Sequence, residues 1–128
     1  MFSWPPYGLI NAHGGILPEY RGLDTNLWAI YERQFDKVGV TIHRVDSELD
    51  TGDVLKISQL PLAKGMSILN LRYHTSVICT DLLLSALEDL KRGRLEAQVQ
   101  GGRGRYFGPM PTVKKCVTNL RLMNYENQ

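Results

Sequence analysis

The sequence predicts an α/β domain, and three observations carry that expectation. A short apolar run, Gly8-Leu9-Ile10, leads into the polar pair Asn11 and His13. A β-branched alternating run, Val40-Thr41-Ile42-His43-Arg44-Val45-Asp46, is answered by a second strand-like run at 54–60. Helical spacing of apolar residues fills the gap between the first two runs, and a long helical stripe follows the third.

In order along the chain, residues 1–7 hold Trp4, Pro5, Pro6 and Tyr7, a non-helical lead into the first strand. Gly8 to Ile10 reads as a buried strand whose carboxyl end carries Asn11 and His13. Strand residues two apart share a face, so the amide and the imidazole project together into the space where open α/β sheets place their ligand crevice. Gly14-Gly15 lets the backbone approach a ligand, and Pro18 and Gly22 bracket a loop. Asp24 or Thr25 caps a helix to about Phe35, burying Leu27, Ile30, Tyr31 and Gln34. In the next strand Thr41, His43 and Val45 share one face and Val40, Ile42 and Arg44 the other. Residues 46–53 form an acidic turn. Ser67 caps a helix to about Lys91 with a wide stripe of Leu71, Ile78, Leu82, Leu83, Ala86, Leu87 and Leu90, and Gly93 stops it. Residues 101–112 read as an irregular Gly/Arg/Pro connection, and Thr112 as the cap of a last helix to about Leu120.

A chain of 128 residues with 43% hydrophobic and 22% charged residues fits one globular domain. Its apolar stretches are shorter than a membrane span and its first residues are unlike a signal peptide, so the expected compartment is cytoplasmic. Cys79 and Cys116 stand in no metal or redox spacing and read as free thiols. From residue 91 onward eight basic residues face only Glu96 and Glu126, a balance of +6 within a chain of net +2, so the first ninety residues are net −4. Such a tail suits a phosphate-bearing partner, or simply a solvated basic face.

Asn11, His13 and Asp50 combine an amide donor, a titratable ring and a carboxylate, a set suited to acyl transfer to an amine. Residues 46–53 lack the order of a calcium loop, so no metal is expected there. His43 reads as a satisfied core histidine and His74 as a helix-surface residue. Gly101 to Arg105 reads as a connector rather than an RNA contact.

Asn11-x-His13, Leu17-Pro18-x-Tyr20-Arg21-Gly22, Gly39-Val40-Thr41-Ile42-His43 and Leu49-Asp50-Thr51-Gly52-Asp53 recur in the order found in the 10-formyltetrahydrofolate-dependent formyltransferase family, which the chain resembles most strongly from about Leu9 to Leu62. The resemblance implies a partial Rossmann-like formyltransferase sheet with covering helices, lacking the family's N-terminal strands. Residues 1–100 would be the C-terminal portion of the catalytic domain and 101–128 a basic extension with a short helix. It implies that Asn11, His13 and Asp50 are the catalytic trio. Leu17 and the loop of Asp46, Ser47, Glu48 and Leu49 would hold the 10-formyltetrahydrofolate donor. Gly15 stands where the family usually has serine. The implied acceptor is a primary amine on a phosphate-bearing small molecule, first an amino-sugar nucleotide and second methionyl-tRNA. Absence of the N-terminal strands would expose a sheet edge, with association of copies or a complementing N-terminal half as the expected consequence. The competing expectation is a non-catalytic folate- or nucleotide-binding remnant.

Overall fold

The computed structural model describes Pro5 and residues 8–126; the lead-in expected at Trp4, Pro6 and Tyr7 lies outside the described residues. Strand β3 (Gly39–Arg44) is central, with β1 (Ile10–His13) and β4 (Val54–Gln59) antiparallel on either side. Val40, Thr41 and Ile42 have no exposed surface, as the β-branched run requires for a strand covered on both faces. The α2 helix (Ile68–Lys91) covers one face, packing Ala86, Ile78, Leu82 and Leu83 on Val40, Ile42, Ile10 and Ala12. Each fully buried Ile or Val contributes roughly 1.5–3 kcal/mol of transfer free energy. Ser67 caps this helix by accepting from the Asn70 N–H, and the Asn70 side chain answers the Ser67 backbone.

The alternation that gives Ile10, Ala12, Val40 and Ile42 to the helix leaves Asn11, His13, Thr41 and His43 on the opposite face. Asn11 lies directly across from His43, and His13 from Thr41. A second core gathers Tyr20, Leu27, Ile30, Leu71, Phe107, Met110 and Leu122, where α1 (Thr25–Tyr31) meets α3 (Thr112–Met123).

Several expectations are corrected. β1 begins at Ile10 rather than Gly8 and carries Asn11 and His13 at its carboxyl end, because it draws its register from residues 41–44 of β3. The α1 helix stops at Tyr31 because Arg33 takes a left-handed φ of 61°, so Gln34 is exposed. The carboxylate of Asp24 does not cap α1; it accepts from the Met110 N–H and pairs with Arg72 and Lys115. Leu87 and Leu90 stand 43% and 38% exposed on α2, so the stripe is covered at its centre and open at its end. The segment read as irregular holds β5 (Arg105–Phe107), which pairs in parallel with β2 (Tyr20–Gly22). In α3 the cap position is Pro111, and the helix runs three residues beyond Leu120.

Candidate active site

Local backbone chemistry brings Asp50 back to the sheet. Asp50 takes φ 55°, which a short polar residue tolerates, and Gly52 passes so close to the Arg44 carbonyl that a side chain there would collide. Gln100 Nε2 donates to the Asp50 and Gly52 carbonyls at 2.9 and 2.8 Å, and Asp46 Oδ1 accepts from the Glu48 N–H and the Thr51 hydroxyl. On the other side, the Thr41 hydroxyl donates to the Gly15 carbonyl at 2.7 Å and accepts from the Leu17 N–H at 3.1 Å, fixing the turn after β1.

The result is one carboxylate between two imidazoles. Asp50 Oδ2 lies 3.7 Å from His13 Nδ1 and accepts the Gly22 N–H at 3.0 Å, while Oδ1 lies 3.4 Å from His43 Nε2. Asn11 Nδ2 is 3.2 Å from His43 Nε2. His13 Nε2–H donates to the Tyr20 carbonyl at 2.7 Å, since that oxygen can only accept. His13, His43 and Asp50 are all buried, whereas Asn11 is exposed at the mouth.

Burial pushes His13 below its ordinary value, outweighing the Tyr20 carbonyl and the Asp50 charge, and nearby His43 adds to the lowering. Burial also opposes charge on His43, but the Asp50 hydrogen bond, the Arg44 carbonyl and the charges of Asp50 and Asp46 raise it above 6.5. For Asp50 burial is outweighed by the His43 bond, the His13 charge and the Gly22 N–H, leaving the carboxyl below the usual range. The site therefore holds a carboxylate, a ring that favours its charge and a ring that favours neutrality.

The structure brings Asn11, His13 and Asp50 together around His43, the residue that sequence reasoning set aside. Its signal lay in the strand pattern: His43 shares a face with Thr41 and sits opposite Asn11 once β1 and β3 are paired. Around the trio, Leu17 is buried with its N–H on Thr41. Ser47 and Leu49 are exposed, and Glu48 forms a two-pronged pair with Arg103 at 2.7 Å. A cavity of about 390 Å³ opens beside His13, lined by Gly14, Gly22, Thr25, Leu71 and Thr75 among others. Among the described residues no cluster of His, Cys, Asp or Glu is arranged to hold a metal ion, and no helix is long and apolar enough to cross a membrane.

The pattern of the family described as Formyl transferase matches residues 1–85. Methionyl-tRNA formyltransferase of Pelobacter propionicus is 32% identical over 106 residues, covering 83% of this chain and 33% of the relative. That of Desulfotalea psychrophila is 36% identical over 105 residues, covering 82% and 32%. The chain thus spans about a third of the length of these curated relatives. Among solved structures, the formyltransferase PseJ from Anoxybacillus kamchatkensis, in complex with UDP-4,6-dideoxy-4-formamido-L-AltNAc and tetrahydrofolate, superposes with a TM-score of 0.70 at 27% identity, over 77% of this chain and 51% of that one. HypX from Aquifex aeolicus in complex with tetrahydrofolic acid shares the fold, with a TM-score of 0.66 at 22% identity over 88% and 22% of the two chains. With its motifs in order on this sheet and the family pattern matching 1–85, the chain belongs to the formyl transferase family.

Proposed function

We propose that this chain carries the transfer centre of an enzyme that moves a formyl group from 10-formyltetrahydrofolate to a primary amine. The observation that carries the reading is the Asp50 carboxylate lying 3.7 and 3.4 Å from two imidazoles, with the Asn11 amide 3.2 Å from the second. The donor supplies an activated formyl carbon, and the exposed Asn11 offers the open side of the sheet a group able to hydrogen-bond its oxygen. That exposed amide and the turn of Asp46, Ser47, Glu48 and Leu49, with Leu17 behind Thr41, fit a donor bound across the sheet face.

His13 then acts as the base. With Nε2–H tied to Tyr20, its lone pair is on Nδ1, so a proton leaving the attacking amine arrives beside Asp50. The new imidazolium and the carboxylate form an ion pair between two buried side chains, which stabilises the step electrostatically. As the bond between the amine and the formyl carbon forms, the bond to folate N10 breaks, and N10 takes up the proton that the amine gave to His13, which returns the ring to its neutral form.

For the acceptor, an amino-sugar nucleotide is the first reading, supported by the sugar nucleotide in the PseJ complex. The second is methionyl-tRNA, favoured by curated relatives at 32% and 36% identity. Release of tetrahydrofolate, followed with 10-formyltetrahydrofolate and each acceptor in turn, tests the proposal. His13→Ala is expected to lower the rate by at least about 100-fold. No release with any acceptor, together with no thermal shift on adding the folate, would favour the non-catalytic remnant.

A further inference from the structure

His43 is 2% exposed, and both its ring nitrogens are engaged. Nδ1 lies 2.8 Å from the Arg44 carbonyl oxygen, an atom that only accepts, so Nδ1 carries a hydrogen. Nε2 faces Asp50 Oδ1 at 3.4 Å and the Asn11 amide at 3.2 Å. In a neutral ring Nε2 bears a lone pair. It can accept from the Asn11 NH2, but it then meets a carboxylate oxygen with no hydrogen between them. A proton on Nε2 converts that contact into a charge-assisted hydrogen bond.

The same proton changes what Asn11 must do. With a proton on Nε2 donated to Asp50, the Asn11 NH2 at 3.2 Å would face a second donor, so a half-turn of the carboxamide brings Oδ1 to the ring and sends NH2 to the exposed side. The two orientations present opposite chemistry at the mouth of the site. Oδ1 outward repels the oxyanion of an attacked carbonyl, and NH2 outward donates to it.

We propose that His43 is a positioning residue of the transfer: held as an imidazolium between Asp50 and Asn11, it turns the Asn11 carboxamide so that NH2 faces the formyl oxygen. This inference rests on the formyl-transfer reading above. The groups around the ring divide the work. Asp50 and Asp46 of the acidic turn and the Arg44 carbonyl favour its charge. His13 faces it from β1, with ring centroids 6.3 Å apart at 77°, and favours neutrality in its own buried place. One ring thus carries charge while the other stays free to take a proton.

Titration of the chain, labelled with ¹⁵N in histidine rings and asparagine side chains and followed by NMR from about pH 5 to about pH 9, tests this directly. His43 is expected to be protonated on both nitrogens at neutral pH, with the Asn11 NH2 signals moving at its midpoint. In Asp50→Asn that midpoint falls below 6.5, the ordinary imidazole value. A neutral His43 at neutral pH, or Asn11 signals indifferent to its titration, overturns the inference. In formyl-transfer assays His43→Gln is expected to lower kcat about 10- to 100-fold, leave KM for the donor within about 3-fold, and abolish the loss of rate at alkaline pH. An unchanged kcat also overturns it. Absence of any transfer by the unaltered chain counts instead against the formyl-transfer reading, because the NMR titration needs no turnover.

Discussion

Asp50 occupies a left-handed backbone position, and that makes Asp50→Asn a clean probe, since asparagine tolerates the same φ of 55°. Its carboxyl is held below 3.8 in the fold, so the stability it contributes is present above 3.8 and is lost as the pH falls through the lower folded value. His43 is raised above 6.5, so its contribution is complete below 6.5 and is lost as the pH rises through the higher folded value. Urea unfolding of Asp50→Asn should therefore show a deficit of about 1–3 kcal/mol that is largest between these limits and shrinks on either side. A deficit independent of pH would show that geometry alone holds the loop. Gly15 gives a second test. A Cβ there would stand 2.6 Å from Thr25 Oγ1 and 2.9 Å from His13 Nε2, so a serine has no room beside these side chains. Gly15→Ser is expected to cost about 1–3 kcal/mol by overpacking, and to shift the His13 ring signals in NMR.

β2 and β5 show how an element ties the site to the rest of the chain. Gly22 sits at φ 102° against the Phe107 backbone, and its N–H donates to Asp50, so one residue serves both the parallel ladder and the carboxylate. Gly22→Ala should force β2 away from β5 and cost at least about 1 kcal/mol. Hydrogen exchange is expected to show faster opening at 20–22 and 105–107, and unaltered protection there would refute the linkage. This ladder was illegible in the sequence. Each strand is three residues long, too short for a period of two to register, and the partners are far apart along the chain. The longer elements were legible for the converse reason. β3 and β4 each carry six residues, and α2 combines the Ser67 cap with several turns of apolar repeat. The α1 boundary was missed because helical spacing continues through Gln34, while the backbone turns left-handed at Arg33. Asn11, His13 and Asp50 were legible as residue types in a familiar order. His43 was passed over because its contacts need two pairings not written in the chain order: the β1–β3 register that sets it across from Asn11, and the return of the 46–53 turn that brings Asp50 to its ring.

At the scale of the molecule, the charge asymmetry along the chain is partly matched internally. Arg103 pairs with Glu48, Arg105 with Glu32 and Lys115 with Asp24, so basic residues after 100 meet acidic ones before it. Such exposed pairs are each worth about 0–1 kcal/mol, too little to hold the segment in place. Burial is the larger effect. Phe107 stacks on Tyr20 with ring centroids 5.1 Å apart, Trp28 Nε1–H donates to the Gly108 carbonyl at 2.8 Å, and Met110 and Leu122 are 3% and 0% exposed in the core shared with Leu27 and Ile30. Removing residues 101–128 would uncover that core and leave Glu48, in the loop before Asp50, without its Arg103 partner. A chain ending at Gln100 is therefore expected to lose its cooperative urea transition and its near-ultraviolet circular dichroism, and to bind a hydrophobic dye that the full chain does not. High salt should leave the full chain's midpoint nearly unchanged, because screening reaches only the exposed pairs. If the shortened chain instead unfolds cooperatively at the full chain's midpoint, residues 1–100 are a self-sufficient domain and 101–128 an extension laid on its surface.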